Sequence, residues 1–66
     1  MKLFQYAVLF HPSDEEKKNG KKSEVIVQIK TVLAPDQNAA TLMAGRDIPE
    51  AHLVHLDQIE VAVRPF

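Results

Sequence analysis

Cysteine and tryptophan are absent from the 66 residues, and glycine occurs only twice. Without cysteine the chain has no disulfide, no thiolate nucleophile and no thiolate metal site. Two glycines are too few for a phosphate-cradling loop or a dinucleotide fingerprint, so nucleotide binding by those routes is excluded. Long hydrophobic runs are missing as well: none approaches the ~20 residues that span a bilayer. The partly apolar opening, Met1 to Phe10, is not followed by a small-residue cleavage site. Neither membrane insertion nor a cleaved leader is therefore expected. Charge of one sign is also lacking. Eight Lys plus Arg face nine Asp plus Glu, a net charge of −1, which offers little long-range attraction for phosphate backbones. Nucleic acid is not the expected partner.

A chain of 66 residues has room for one core, so a single domain over residues 1–66 is expected. A domain this small buries only about 60% of the surface its unfolded chain exposes. Ordering it costs on the order of 100 kcal/mol, so its stability margin is thin. With disulfides excluded, a metal or a partner subunit is the remaining external support.

What is present reads as alternating strands and one helix. Phe4, Tyr6, Val8 and Phe10 fall on one period-2 face, and Leu3, Gln5, Ala7 and Leu9 on the other. A strand apolar on both sides belongs in the middle of a sheet. His11 to Lys22 carries Pro12, the Asp14 to Lys18 charge run and Asn19-Gly20, and reads as a long polar hairpin connection. From Ser23 to Leu33 alternation returns, with Val25, Val27, Ile29 and Leu33 on one face and Glu24, Gln28 and Lys30 opposite. Pro35 stops that strand, and Asp36 is a suitable N-cap for a helix from Gln37 to about Gly45. Its Ala40, Met43 and Ala44 form a small-residue stripe able to lie close on a sheet. Asp47-Ile48-Pro49-Glu50 repeats the capping signals for a second short helix through Leu56. Ile59, Val61 and Val63 then alternate with polar neighbours until Pro65. The order is β-β-α-β, an α+β fold. A right-handed crossover gives an antiparallel sheet of order 2-1-3, with both helices on one face.

Catalytic patterns are lacking. Ser13 and Ser23 lie in or beside the charged loop without a Gly-x-Ser-x-Gly frame. Asp14, Glu15 and Glu16 sit among lysines, the opposite of the desolvated setting that raises a general acid's pKa. His52 and His55, at i and i+3 near Asp57, have the spacing of two zinc ligands without an obvious fourth. They read instead as polar positions flanking Leu53 and Leu56. Lys17, Lys18, Lys21 and Lys22 resemble a phosphate-contacting cluster, but neighbouring acids offset them and the aromatics share the core face. No enzymatic activity, cofactor or metal is expected.

The second sheet face, which the helix is not expected to cover, carries Leu3, Leu9, Ile26 and Val32 beside Ala7 and Ala62 in this reading. Exposed apolar area of that kind marks a protein–protein contact, and the small core independently favours one. Arg46 near the helix end and Arg64 near the last strand's edge are suited to pairing with a partner's carboxylates.

The segments Phe4-Gln5-Tyr6-Ala7-Val8, Val25-Ile26-Val27 and Thr31-Val32-Leu33-Ala34 carry a family likeness. So do Ala44-Gly45-Arg46-Asp47-Ile48-Pro49-Glu50 and the ending from Leu56 to Val63-Arg64-Pro65-Phe66. Over nearly its full length the chain resembles a group of small tailed-bacteriophage proteins of unknown function. The resemblance implies a phage origin, with the host cytoplasm or the virion as location, and brings no active-site residues. The expected function is a non-enzymatic interaction or assembly module, a virion or assembly component. Its expected partner is itself or a phage or host protein, through Leu3, Leu9, Ile26, Val32, Arg46, Arg64 and Phe66. The alternative is a small regulator or inhibitor that binds a host protein or nucleic acid through the basic Asn-Gly loop and an edge strand.

Overall fold

The computed structural model describes residues 1–66. Three antiparallel strands, β1 (Lys2–Phe10), β2 (Glu24–Ala34) and β3 (Ile59–Pro65), form a sheet of order β2-β1-β3. The strand that is apolar on both faces is central, as its pattern predicts. Pro65 pairs with Phe4 at the end of β3, the edge position that tolerates a residue without an N–H donor.

Helix α2 (Gln37–Arg46) starts at Asp36, whose Oδ1 accepts from the Ala39 N–H at 2.8 Å. It presents Ala40 and Ala44, both fully buried, and the half-buried Met43 to the sheet. With methyl groups at the contact, its backbone approaches the strands closely enough to touch all three. The core beneath it is small. Tyr6, Val8, Val27 and Ala44 form one cluster, and Phe4, Ala34 and Ala40 a second. Ile59, Val61 and Val63 of β3 pack against the first, the face their alternation predicts.

Two expectations change in the connections. The segment between β1 and β2 is not a plain hairpin loop but holds a five-residue helix, α1 (Asp14–Lys18). Ser13 Oγ accepts from the Glu16 N–H at 3.3 Å while Glu16 Oε1 accepts from the Ser13 N–H at 3.1 Å, a reciprocal capping box. Asn19-Gly20 closes this helix rather than a hairpin. Lys21 N–H reaches Glu16 O and Gly20 N–H reaches Lys17 O, each at 3.0 Å. Gly20 takes φ +83, the left-handed conformation such a helix end requires. The second helix is also different: Glu50–Gln58 is a 3-10 segment, broken at His55 (φ −126, ψ 42) and without a side-chain cap. Leu53 and Leu56, read as its apolar side, remain exposed.

Asp47 is not a cap for that segment because the sheet claims its carboxylate. Asp47 Oδ2 accepts from the Tyr6 hydroxyl and, at 2.8 Å, from Lys30 Nζ. Tyr6 and Lys30 are paired neighbours on β1 and β2, so this junction fastens the C-terminal end of α2 to two strands at once. Lys30, and then the Tyr6 hydrogen bond, hold the Asp47 carboxyl below its usual range. Burial, followed by the bond to Asp47, pushes the Tyr6 phenol up to about 12. Glu16 is lowered to about 2, chiefly by the Ser13 backbone N–H and then by Gln58.

The two carboxylates have depressed folded pKa values. Their stabilisation is complete above the unfolded values of about 4 and is lost as pH falls through the folded ones. Tyr6 has the opposite sign: its contribution is complete below about 10 and is lost as pH rises further. Denaturant midpoints measured against pH should therefore fall between pH 4.5 and about 2. They should fall less steeply in Asp47→Asn and Glu16→Gln, while Tyr6→Phe should cost about 1.5 kcal/mol at neutral pH.

Candidate interaction surface

One layer of helix covers one face of the sheet, and the other face is open. Its composition follows from the register. On β1 and β3, paired without irregularity, Leu3, Gln5, Ala7 and Leu9 lie beside Arg64, Ala62 and Glu60, with Gln5 opposite Arg64 and Ala7 opposite Ala62. Strand β2 behaves differently. Nine residues of β1 pair with eleven of β2, and the two extra residues enter as irregularities between Tyr6 and Val8 and between Val8 and Leu9. Each bulge inserts one residue and shifts the alternation by one step.

The register against β1 corrects the reading of β2. Val32 lies opposite Phe4 on the covered face, and both Val32 and Ile26 pack against the core cluster. Neither is on the open face where it was expected. Leu33, opposite Leu3, and Val25, opposite Leu9, face outward instead. Ile29 is 63% exposed and Leu33 56% exposed. The open face thus carries Leu3, Leu9, Val25, Ile29 and Leu33 around the small pair Ala7 and Ala62.

That small pair leaves a hollow of about 220 Å³, with Ile29 on one wall and Gln5 and Arg64 on its rim. Arg64 Nε donates to Gln5 Oε1 at 3.0 Å, which holds the rim in one arrangement. Of the other residues expected at an interface, Leu3, Leu9 and Arg64 share this face. Arg46 sits in the last turn of α2, on the helix layer. Phe66 lies at the sheet end, its N–H donating to Leu3 O at 3.0 Å.

At the opposite end three strand termini are tied together by side chains that are far apart in sequence. His11 Nε2 lies 2.6 Å from Glu60 Oε1, and His11 Nδ1 lies 2.7 Å from Ser23 Oγ. A carboxylate only accepts, so Nε2 donates to it; in the neutral ring Nδ1 then accepts from the Ser23 hydroxyl. This chain of contacts has the connectivity of a nucleophile, a base and an orienting carboxylate. Alternation and motif spacing gave no sign of it, because only pairing places Ser23 beside His11. Both His11 and Glu60 are exposed, and an ion pair in that setting adds little. Gln58 completes the junction: its Nε2 donates to His11 O at 2.9 Å and to Glu16 Oε1 at 3.0 Å, and its O accepts from the His11 N–H at 2.7 Å.

The remaining candidates are placed as follows. His52 and His55 lean on the Phe10 ring, with centroids at 5.0 and 6.4 Å, so both imidazoles are engaged in packing. Lys17, Lys18, Lys21 and Lys22 are exposed around the end of α1, and Lys21 Nζ reaches Glu16 Oε2 at 3.4 Å. No helix is long and apolar enough to cross a membrane. No family model, no curated protein and no solved structure matches the chain.

Removing the imidazole should loosen this end alone. In His11→Ala, hydrogen exchange at the amides of Ser23 to Val25 should accelerate while those of Tyr6 and Val8 stay protected. Uniform acceleration throughout the sheet would show instead that the junction supports the whole fold.

Proposed function

We propose that this protein is a non-enzymatic interaction or assembly module of tailed-phage type, a virion or assembly component, whose docking surface is the open face of the sheet. The observation that supports this reading is the outward rank of Leu3, Leu9, Val25, Ile29 and Leu33 beside an Ala-lined hollow. A sheet exposes two faces, and here α2 and the 3-10 segment serve only one. Contiguous exposed apolar surface on a small protein marks a contact with another macromolecule. The host cytoplasm, with passage into the virion, is the setting in which the resemblance places it.

A second reading has its own support. The four lysines around the end of α1 are all exposed and form a basic group at the surface. That favours a regulator or inhibitor contacting a host protein or nucleic acid through charge.

The two readings separate in infected cells with a photo-reactive phenylalanine analogue at Ile29 on the open face, at Leu42 on the outward side of α2, or at Lys18. The assembly reading expects protein adducts from position 29, none from 42, and loss of the adducts when Ala62→Arg is added. Adducts confined to position 18 would replace it with the regulator reading. The non-enzymatic part is tested on an activated ester: turnover that disappears in Ser23→Ala would overturn it.

A further inference from the structure

We infer that the open face is self-complementary. Two copies of this chain stack sheet to sheet about a two-fold axis that lies between the sheets and runs along β1. This inference rests on the reading of that face as a docking surface and names its occupant.

Area is the first argument. A compact monomer of this mass exposes about 4200 Å², whereas this chain exposes 4853 Å². The excess over the whole chain is about 650 Å², of the size that each partner contributes to a stable interface, roughly 600 to 1000 Å². Shape agrees. The radius of gyration is 13.1 Å and the extents are 43 × 20 × 15 Å, against about 10.8 Å for a compact chain of this length. The molecule has the dimensions of half a sandwich, and a second sheet is the layer that completes it.

Relief across the face then selects the partner. An axis along β1 places β2 of each copy over β3 of the other and keeps residues at the same level along the strands. At the central level the order across the sheet is Ile29, Ala7, Ala62. The most exposed branched side chain of the face lies at one edge and the hollow extends to the other. The two-fold therefore lowers Ile29 of each copy onto the Ala62 side of the other's hollow, twice per dimer. On the axis itself Leu3 meets Leu3 and Leu9 meets Leu9, so the apolar ends of β1 are covered. Thr31, paired with Gln5 on β2, comes over Arg64 of the other copy and supplies a hydroxyl to its guanidinium. An isologous contact of this kind requires each protruding group to have its receptor on the same surface, and this face carries both. A net charge of −1 per chain leaves little repulsion to overcome.

The test exchanges the protrusion and the hollow. Molar mass in solution is measured by light scattering from micromolar to millimolar protein, at two salt concentrations. Wild type should approach a dimer with concentration and depend weakly on salt. Ile29→Ala and Ala62→Ile should each weaken it about tenfold or more, since overfilling or emptying a packed contact is unfavourable and is repeated by symmetry. The double variant Ile29→Ala/Ala62→Ile should recover the dimer, and so should an equimolar mixture of the two single variants. The mixture guards against misfolding, because only folded chains can restore each other. A wild-type dimer that the exchange fails to restore would overturn the two-fold placement. A wild type that stays monomeric while position 29 still gives protein adducts would overturn self-pairing and leave the interaction reading standing. A monomer without adducts would overturn both.

Discussion

The seating of α2 on the sheet through Ala40 and Ala44 is the contact on which the rest of this molecule depends. Methyl groups let the helix backbone approach so closely that a ten-residue helix touches all three strands. Such a contact buries little area per side chain, and at about 25 cal/mol per Å² it adds correspondingly little hydrophobic stabilisation. The helix must therefore be located by polar anchors as well as by packing. Asp36 starts it, and the Tyr6–Asp47–Lys30 junction fixes its far end to β1 and β2. One helix layer also leaves one sheet face without a cover, which is the origin of the open apolar surface.

The character of that surface is set by β2. Had β2 paired with β1 residue for residue, its apolar side chains would have kept one alternation along their whole length. Two bulges break it. Val27 and Ile26 turn to the core near one end and Val32 and Ala34 near the other, while Ile29 is turned out between them. The bulges therefore bring Val27 to the covered face beside Ile26, while Ile29 keeps the outward side of Thr31 and Leu33 and stands beside the Ala7–Ala62 hollow.

The far end of the molecule is organised by hydrogen bonds rather than by burial. Gln58 binds the His11 backbone in both directions and reaches Glu16, so the 3-10 segment, β1 and α1 meet at one side chain. His11 adds Ser23 and Glu60 to the same junction. Such a network holds the three strand ends in register next to Leu9 and Val25.

The sequence by itself determined the element order apart from α1, the central place of β1, the Asp36 cap, the small-residue stripe of α2 and the outward Leu3, Leu9 and Arg64. These follow from local periodicity and from the stereochemistry of Asp, Pro and Ala, which act over a few residues. It also held a capping box at Ser13 and Glu16, legible as a Ser-x-x-Glu spacing but masked by the charge run around it. Only the tertiary structure decided the β2 bulges, the exchange of Ile26 and Val32 for Ile29 and Leu33 on the open face, and the recruitment of Asp47 away from the 3-10 segment. It alone also made the Ser23–His11–Glu60 contact. Each of these depends on which residues of distant segments come to lie opposite one another. That pairing is set by fitting the whole sheet to one helix, and no window of neighbouring residues contains it.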